Sequence, residues 1–130
     1  MPLIRIKRHF DFVEMREAPF KAFTKSFVLQ MRPNDKNETR IGFTVSKKIA
    51  KSAVVRNRLR RQMREIVRLS PILQEKYPSN DFVLIAREEA LNRDYHQLTK
   101  DFAYLLDHVH EVTYAPKEQE HKKRHRKNRK

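Results

Sequence analysis

The chain has 130 residues, no cysteine, and 30 Lys and Arg against 16 Asp and Glu, for a formal charge of +14. That length allows one domain with a modest core, and so large a positive excess seeks a polyanion, nucleic acid or acidic lipid. Without cysteine there is neither a disulfide framework nor a thiolate zinc site, and without an apolar run near ~18–20 residues or a secretory-type apolar core at the start the expectation is a soluble cytoplasmic protein.

Residues 8–17 read as a short helix stopped by Pro19, with Phe10, Phe12, Val13 and Met15 too spread for one narrow stripe. Over 23–32, Phe23, Lys25, Phe27, Leu29 and Met31 alternate with Thr24, Ser26, Val28, Gln30 and Arg32, the period of a half-buried strand. The polar stretch 33–38 is a turn, so residues 40–46 are expected to return as its antiparallel partner. There Ile41, Phe43 and Val45 alternate with Gly42, Thr44 and Ser46. Gly42, the sole glycine, marks a close approach by another backbone or a ligand. Residues 46–51 form a short strand or a loop before the next helix.

Over 53–70, Val55, Leu59, Met63 and Ile66 recur at spacings of four, four and three, which is one apolar helix face. Arg56, Arg60, Arg64 and Arg68 climb beside it in steps of four, with Asn57, Arg58 and Arg61 on the far side. Ser70-Pro71 ends the helix. The run from Asp81 to Arg87 is almost continuously apolar, a strand covered on both faces. A last helix starts near Asn92 as N-cap and buries Tyr95, Leu98, Phe102, Leu105, Val109 and Val112. From Pro116 onward there are eight Lys or Arg, two Glu and no apolar side chain. Nothing there offsets the entropy of ordering, so the expected division is a folded domain over 1–115 and a disordered basic tail over 116–130.

The arginine helix carries the functional signal. Six Arg and a single acid, Glu65, lie between residues 53 and 70, so helix neighbours cannot neutralise one another through i,i+4 pairs. Like charges one turn apart are relieved by a polyanion, and guanidinium forks match phosphate oxygens bidentately. Lys47, Lys48 and Lys51 extend the same positive surface. If six to ten such cations meet phosphates, affinity falls ~10³–10⁵-fold between ~50 and ~200 mM salt. The phenylalanines at 10, 12, 20, 23 and 27 either stack on unpaired bases or fill the core; Phe27 and Phe43 are assigned to the core.

Protein-borne catalysis is not visible. A metal-dependent nuclease needs clustered carboxylates, whereas these acids are scattered. His108 and His110 cannot meet on one helix face, and His9, His96, His121 and His125 are unlinked to them in sequence. One glycine excludes a Gly-rich phosphate loop. The expectation is no catalytic and no metal-ligating residue.

The run from Ser46 to Glu65, with Lys47-Lys48 placed before Arg56-Asn57-Arg58 and further basic residues one turn on, resembles the signature of the bacterial ribonuclease P protein component. Asp11-Phe12, Phe27-Val28-Leu29 and the run from Asp81 to Arg87 fit the same pattern, so the resemblance spans about residues 8–110. It implies an α+β fold of order αβββαβα, with an extra strand at about 46–49 and an unusual left-handed βαβ crossover through the arginine helix. Ordinary chain physics favours the right-handed form in ~98 % of cases.

The resemblance further implies that Arg56, Asn57, Arg58, Arg60, Arg61 and Arg64 face a catalytic RNA, with Lys48, Lys51 and Arg68 on the same basic surface. A cleft lined by Phe12, Val28, Thr44, Lys47 and Arg87 is expected to take the single-stranded 5′ leader of precursor tRNA. Gln30 joins that cleft because it shares strand parity with Val28. Mg²⁺ is expected on the RNA partner, and no protein oligomer is required. The family's pattern is broken at Arg16 and Gln30, where relatives carry aromatic residues, and at Glu88, where a basic residue is common. The alternative is a structural RNA-binding protein such as a ribosomal component.

Overall fold

The computed structural model describes residues 3–5 and 18–111. The helix expected at 8–17, with Phe12, and the tail at 116–130 lie outside them. Among the described residues the elements are β1 (Leu3–Arg5), β2 (Phe20–Phe23), β3 (Phe27–Pro33), β4 (Thr39–Thr44), α1 (Ala53–Arg68), α2 (Ile72–Lys76), β5 (Asn80–Ala86) and α3 (Tyr95–His108). Short 3₁₀ turns at Glu88–Asn92 and Val109–Glu111 flank α3.

The strands form one mixed sheet in the order β1-β4-β5-β3-β2. β5 lies antiparallel to β3 and parallel to β4, so α1 crosses between two parallel neighbours. β3 and β4 were expected to pair with each other, and they do not. The reason is the apolar character of β5: Phe82 and Leu84 are fully buried on one face and Val83 on the other. A strand covered on both faces belongs at the sheet centre, and it inserts between the two half-polar strands.

Two further expectations change. The single strand expected over 23–32 is interrupted by a tight turn at Thr24-Lys25-Ser26, which ends β2 at Phe23 and starts β3 at Phe27. The Thr24 N–H donates to the Phe27 carbonyl at 2.9 Å, and the Phe27 N–H donates to Thr24 Oγ1 at 3.1 Å. This reversal puts Phe23 opposite Val28, on the other face from Phe27. Residues 47–49 are a turn rather than a strand, closed by the Ile49 N–H on the Ser46 carbonyl at 3.1 Å. Four strands precede α1 among the described residues: β1 and the separate β2 add to the two expected, and none comes from 46–49.

One side of the sheet carries the core. Ala22, Phe27, Leu29, Met31, Ile41, Phe82, Leu84 and Ala86 meet Leu59, Met63, Ile66 and Val67 of α1 and Leu98, Phe102, Leu105 and Leu106 of α3. The expected α1 stripe is observed, with Val67 added and Val55 only half-buried. α3 begins two residues later than expected. Asp94, not Asn92, is its N-cap, accepting from the Gln97 N–H at 2.8 Å while the Gln97 side chain accepts from the Asp94 N–H at 3.1 Å. This reciprocal box satisfies two otherwise orphaned donors. Tyr95, assigned to the buried stripe, is exposed at the first position of the helix.

Candidate nucleic-acid interface

α1 starts at Ser52, whose Oγ accepts from the Val55 N–H at 3.3 Å, and it has no acid in its first turn. The positive end of the helix dipole therefore stays unneutralised beside the turn and loop carrying Lys47, Lys48 and Lys51, all exposed. Burying Leu59, Met63, Ile66 and Val67 turns Arg58, Arg61 and Arg64 outward. None of these six cations has a hydrogen-bond or ion-pair partner among the described residues. They form a continuous positive surface.

The remaining site residues of α1 are already engaged. Arg56 Nη1 donates to the carbonyls of Ala50 at 2.9 Å and Lys51 at 2.8 Å, tying the lysine loop to the helix. Arg60 Nη1 donates to Asn57 Oδ1 at 2.9 Å, so Asn57 orients that guanidinium. Arg68 donates to Glu65 from Nε at 3.2 Å and Nη2 at 2.5 Å. The hydrogen bond from Arg68 holds the Glu65 carboxyl below its usual pKa, and Glu65 in turn raises that of Arg68. The helix's one acid is thus paired with Arg68, whose charge it partly neutralises although the side chain stays exposed.

Of the residues expected in the cleft, Val28, Gln30 and Thr44 lie on the sheet face away from the core, Lys47 sits in the turn beyond β4, and Phe12 lies outside the described residues. Strand register aligns that face in rows: Phe23, Val28, Ile85 and Thr44 across β2, β3, β5 and β4, then Lys21, Gln30, Val83 and Gly42. The parity expected for Val28, Gln30 and Thr44 is observed, and all three are half-exposed. Gly42 leaves the floor without a side chain beside Val83, and Ala18 packs on Val83 and Ile85. Arg87 continues the face at the end of β5, its Nη1 donating to the Thr24 carbonyl at 2.9 Å. Lys21 and Phe23 were not assigned to this face, because the turn that redirects them was hidden within an unbroken alternation.

The third row holds a buried ion cluster. The Asp81 carboxylate, 1 % exposed, accepts from Arg40 twice at 2.8 Å, from Asn34 at 2.7 Å and from Arg32 at 3.4 Å. Burial alone would raise its pKa. The hydrogen bonds from Arg40 and Asn34 and the charges of Arg40 and Arg32 outweigh that, and hold the carboxyl below its ordinary value. Asp81 ties β3, β4 and β5 together at one end of the face.

The basic helix and this half-exposed sheet face therefore lie on opposite sides of one sheet. They are joined past the C-terminal end of β4 by the segment from Thr44 through Lys47 to Lys51. Three or more His, Asp or Glu suited to hold a metal come together nowhere among the described residues. No described helix is long and apolar enough to cross a membrane.

Residues 2–110 match the sequence profile of the family described as Ribonuclease P. The chain belongs to the ribonuclease P protein family. It is 36 % identical over 99 residues to the ribonuclease P protein component of Citrifermentans bemidjiense, covering 76 % of this chain and 82 % of that one. It is 42 % identical over 97 residues to that of Idiomarina loihiensis, covering 75 % and 74 %. Among solved structures it is similar to the Staphylococcus aureus RNase P protein, with TM-score 0.67 and 28 % identity over 81 % of this chain and 95 % of that one. For the Thermotoga maritima RNase P protein the TM-score is 0.66, with 26 % identity over 78 % and 94 %. Ribonuclease P proteins are protein subunits of the endoribonuclease that processes tRNA 5′ ends, and the chain takes that role.

Proposed function

We propose that the chain is a non-catalytic subunit that binds a catalytic RNA through α1 and its preceding loop, and the 5′ leader of precursor tRNA through the sheet groove. The observation that carries this reading is the unpartnered surface of Lys47, Lys48, Lys51, Arg58, Arg61 and Arg64, backed by a separate half-exposed face across the sheet. Arg60, held by Asn57, and Arg56, which fixes the loop, complete the RNA-facing surface, with Arg68 at its margin.

The RNA carries the chemistry in this reading. The described acids do not suit a catalytic metal: Asp81, the most buried, is saturated by Arg40, Arg32 and Asn34, and no cluster stands beside it. Mg²⁺ is assigned to the RNA. The protein contributes positive charge that replaces part of the counterion screening and a grip on the leader, in the cytoplasm and without need of a protein oligomer. The ribosomal alternative has no observation in its favour.

The test is reconstitution on precursor tRNA with and without the cognate RNA. Protein alone should leave the substrate intact at every Mg²⁺ concentration, and added to the RNA it should lower the Mg²⁺ requirement. Specific cleavage by RNA-free protein would refute the assignment.

A further inference from the structure

We infer that Asp101 of α3 is a positioning residue for leader binding, acting through Arg87; this rests on the half-exposed sheet face being the leader's binding site. Ser26, in the turn between β2 and β3, is fully buried, and its hydroxyl donates to Asp101 Oδ2. A buried hydroxyl is costly without a partner, and a carboxylate makes the bond charge-assisted. The same oxygen lies 3.6 Å from Arg93 Nη1, just past the 3₁₀ turn Glu88–Asn92. One carboxylate therefore holds two loops that are distant in sequence.

Arg87 stands between those loops. Its N–H donates to the Ser26 carbonyl at 2.8 Å, and its own carbonyl accepts from the Ala90 N–H at 2.9 Å. Its Nη1 donates to the Thr24 carbonyl at 2.9 Å. Peptide and guanidinium are thus fixed by the Ser26 turn on one side and the 3₁₀ turn on the other, and Asp101 joins the two. Arg87 is exposed, and its Nε and Nη2 have no partner among the described residues. That edge of a guanidinium suits a bidentate grip on phosphate. A long side chain that must be ordered on binding forfeits affinity; the clamp orders Arg87 beforehand. Asp101 itself belongs to the helix packed on the core side of the sheet, so it reaches the leader only through Arg87.

The experiment uses the reconstituted holoenzyme and compares affinity for precursor and mature tRNA. Asp101→Ala should weaken precursor binding about three- to ten-fold, with mature tRNA and assembly with the catalytic RNA unchanged. Asp101→Asn, whose amide oxygen still accepts from Ser26, should recover most of that loss. Ser26→Ala, which leaves Asp101 paired with Arg93, should also weaken precursor binding selectively. In an Arg87→Ala background neither Asp101→Ala nor Ser26→Ala should cost anything further, whereas a merely structural role would add its penalty in both backgrounds. Full additivity, an equal loss on mature tRNA, or no loss in either variant would overturn the role of Asp101 and leave the leader site standing. If Arg87→Ala by itself keeps the full preference for precursor, the leader assignment of this face and the inference fall together.

Discussion

Arg56 and Arg58 sit two residues apart on α1, and alanine at each should have different consequences. Arg58 is exposed with no described partner, so Arg58→Ala should leave stability within ~0.5 kcal/mol of wild type. It should remove one charge-assisted contact to RNA, about 1.5–3 kcal/mol, or roughly 10–150-fold in affinity. The slope of log affinity against log salt should flatten by about 0.9 for a duplex phosphate. Arg56 spends one nitrogen on the Ala50 and Lys51 carbonyls at 2.9 and 2.8 Å. Those bonds are only partly shielded from water, so Arg56→Ala should cost about 1–2 kcal/mol of stability, at the low end for charged hydrogen bonds. For a domain of this size each kcal/mol lowers the melting temperature by about 4 °C. Affinity should fall as well, because the loop with Lys47, Lys48 and Lys51 is released. Thermal melting of the free protein and RNA binding at three salt concentrations read both effects. If Arg58→Ala keeps its affinity and slope, or Arg56→Ala melts with wild type, the division into a contacting and a positioning arginine is wrong.

Arg40→Met should destabilise the fold by about 3 kcal/mol in denaturant titration, because breaking a buried pair strands the Asp81 charge; a loss below about 1 kcal/mol would show that Arg32 and Asn34 suffice. Asp81 has a folded pKa below its unfolded value of ~3.9. Its stabilising contribution is therefore present above that unfolded value and lost as pH falls through the folded one. Acid unfolding should steepen below about pH 4 in wild type and less so in Asp81→Asn. Arg68→Ala should weaken RNA assembly least among alanine variants of the six arginines, since Glu65 already neutralises it; an effect matching Arg58→Ala in parallel binding titrations would contradict this. Arg87→Ala should shrink the affinity ratio of precursor to mature tRNA without altering assembly with the RNA, as measured by competition binding.

Much of the interface is local and therefore readable along the chain. Helical period sets which side of α1 meets the core, and the apolar stripe of Leu59, Met63 and Ile66 leaves Arg58, Arg61 and Arg64 no direction but outward. Strand parity likewise separates Val28, Gln30 and Thr44 from Phe27 and Leu29. Asp94 shows a limit of local reading, since both it and Asn92 are N-cap types and only the closed hydrogen-bond box selects one.

What composition and periodicity determined by themselves was a cysteine-free polyanion binder, the basic face of α1, and two-sided burial of β5. Pairing is a long-range choice, so only the tertiary structure decided that β5 separates β3 from β4. It also placed Phe23 on the groove face, because a three-residue turn reverses the chain without interrupting the alternation. The distinction between arginines that reach solvent and those already engaged came from side-chain geometry. Arg56 and Arg58 carry the same charge in the same motif, and the carbonyls of Ala50 and Lys51 set them apart.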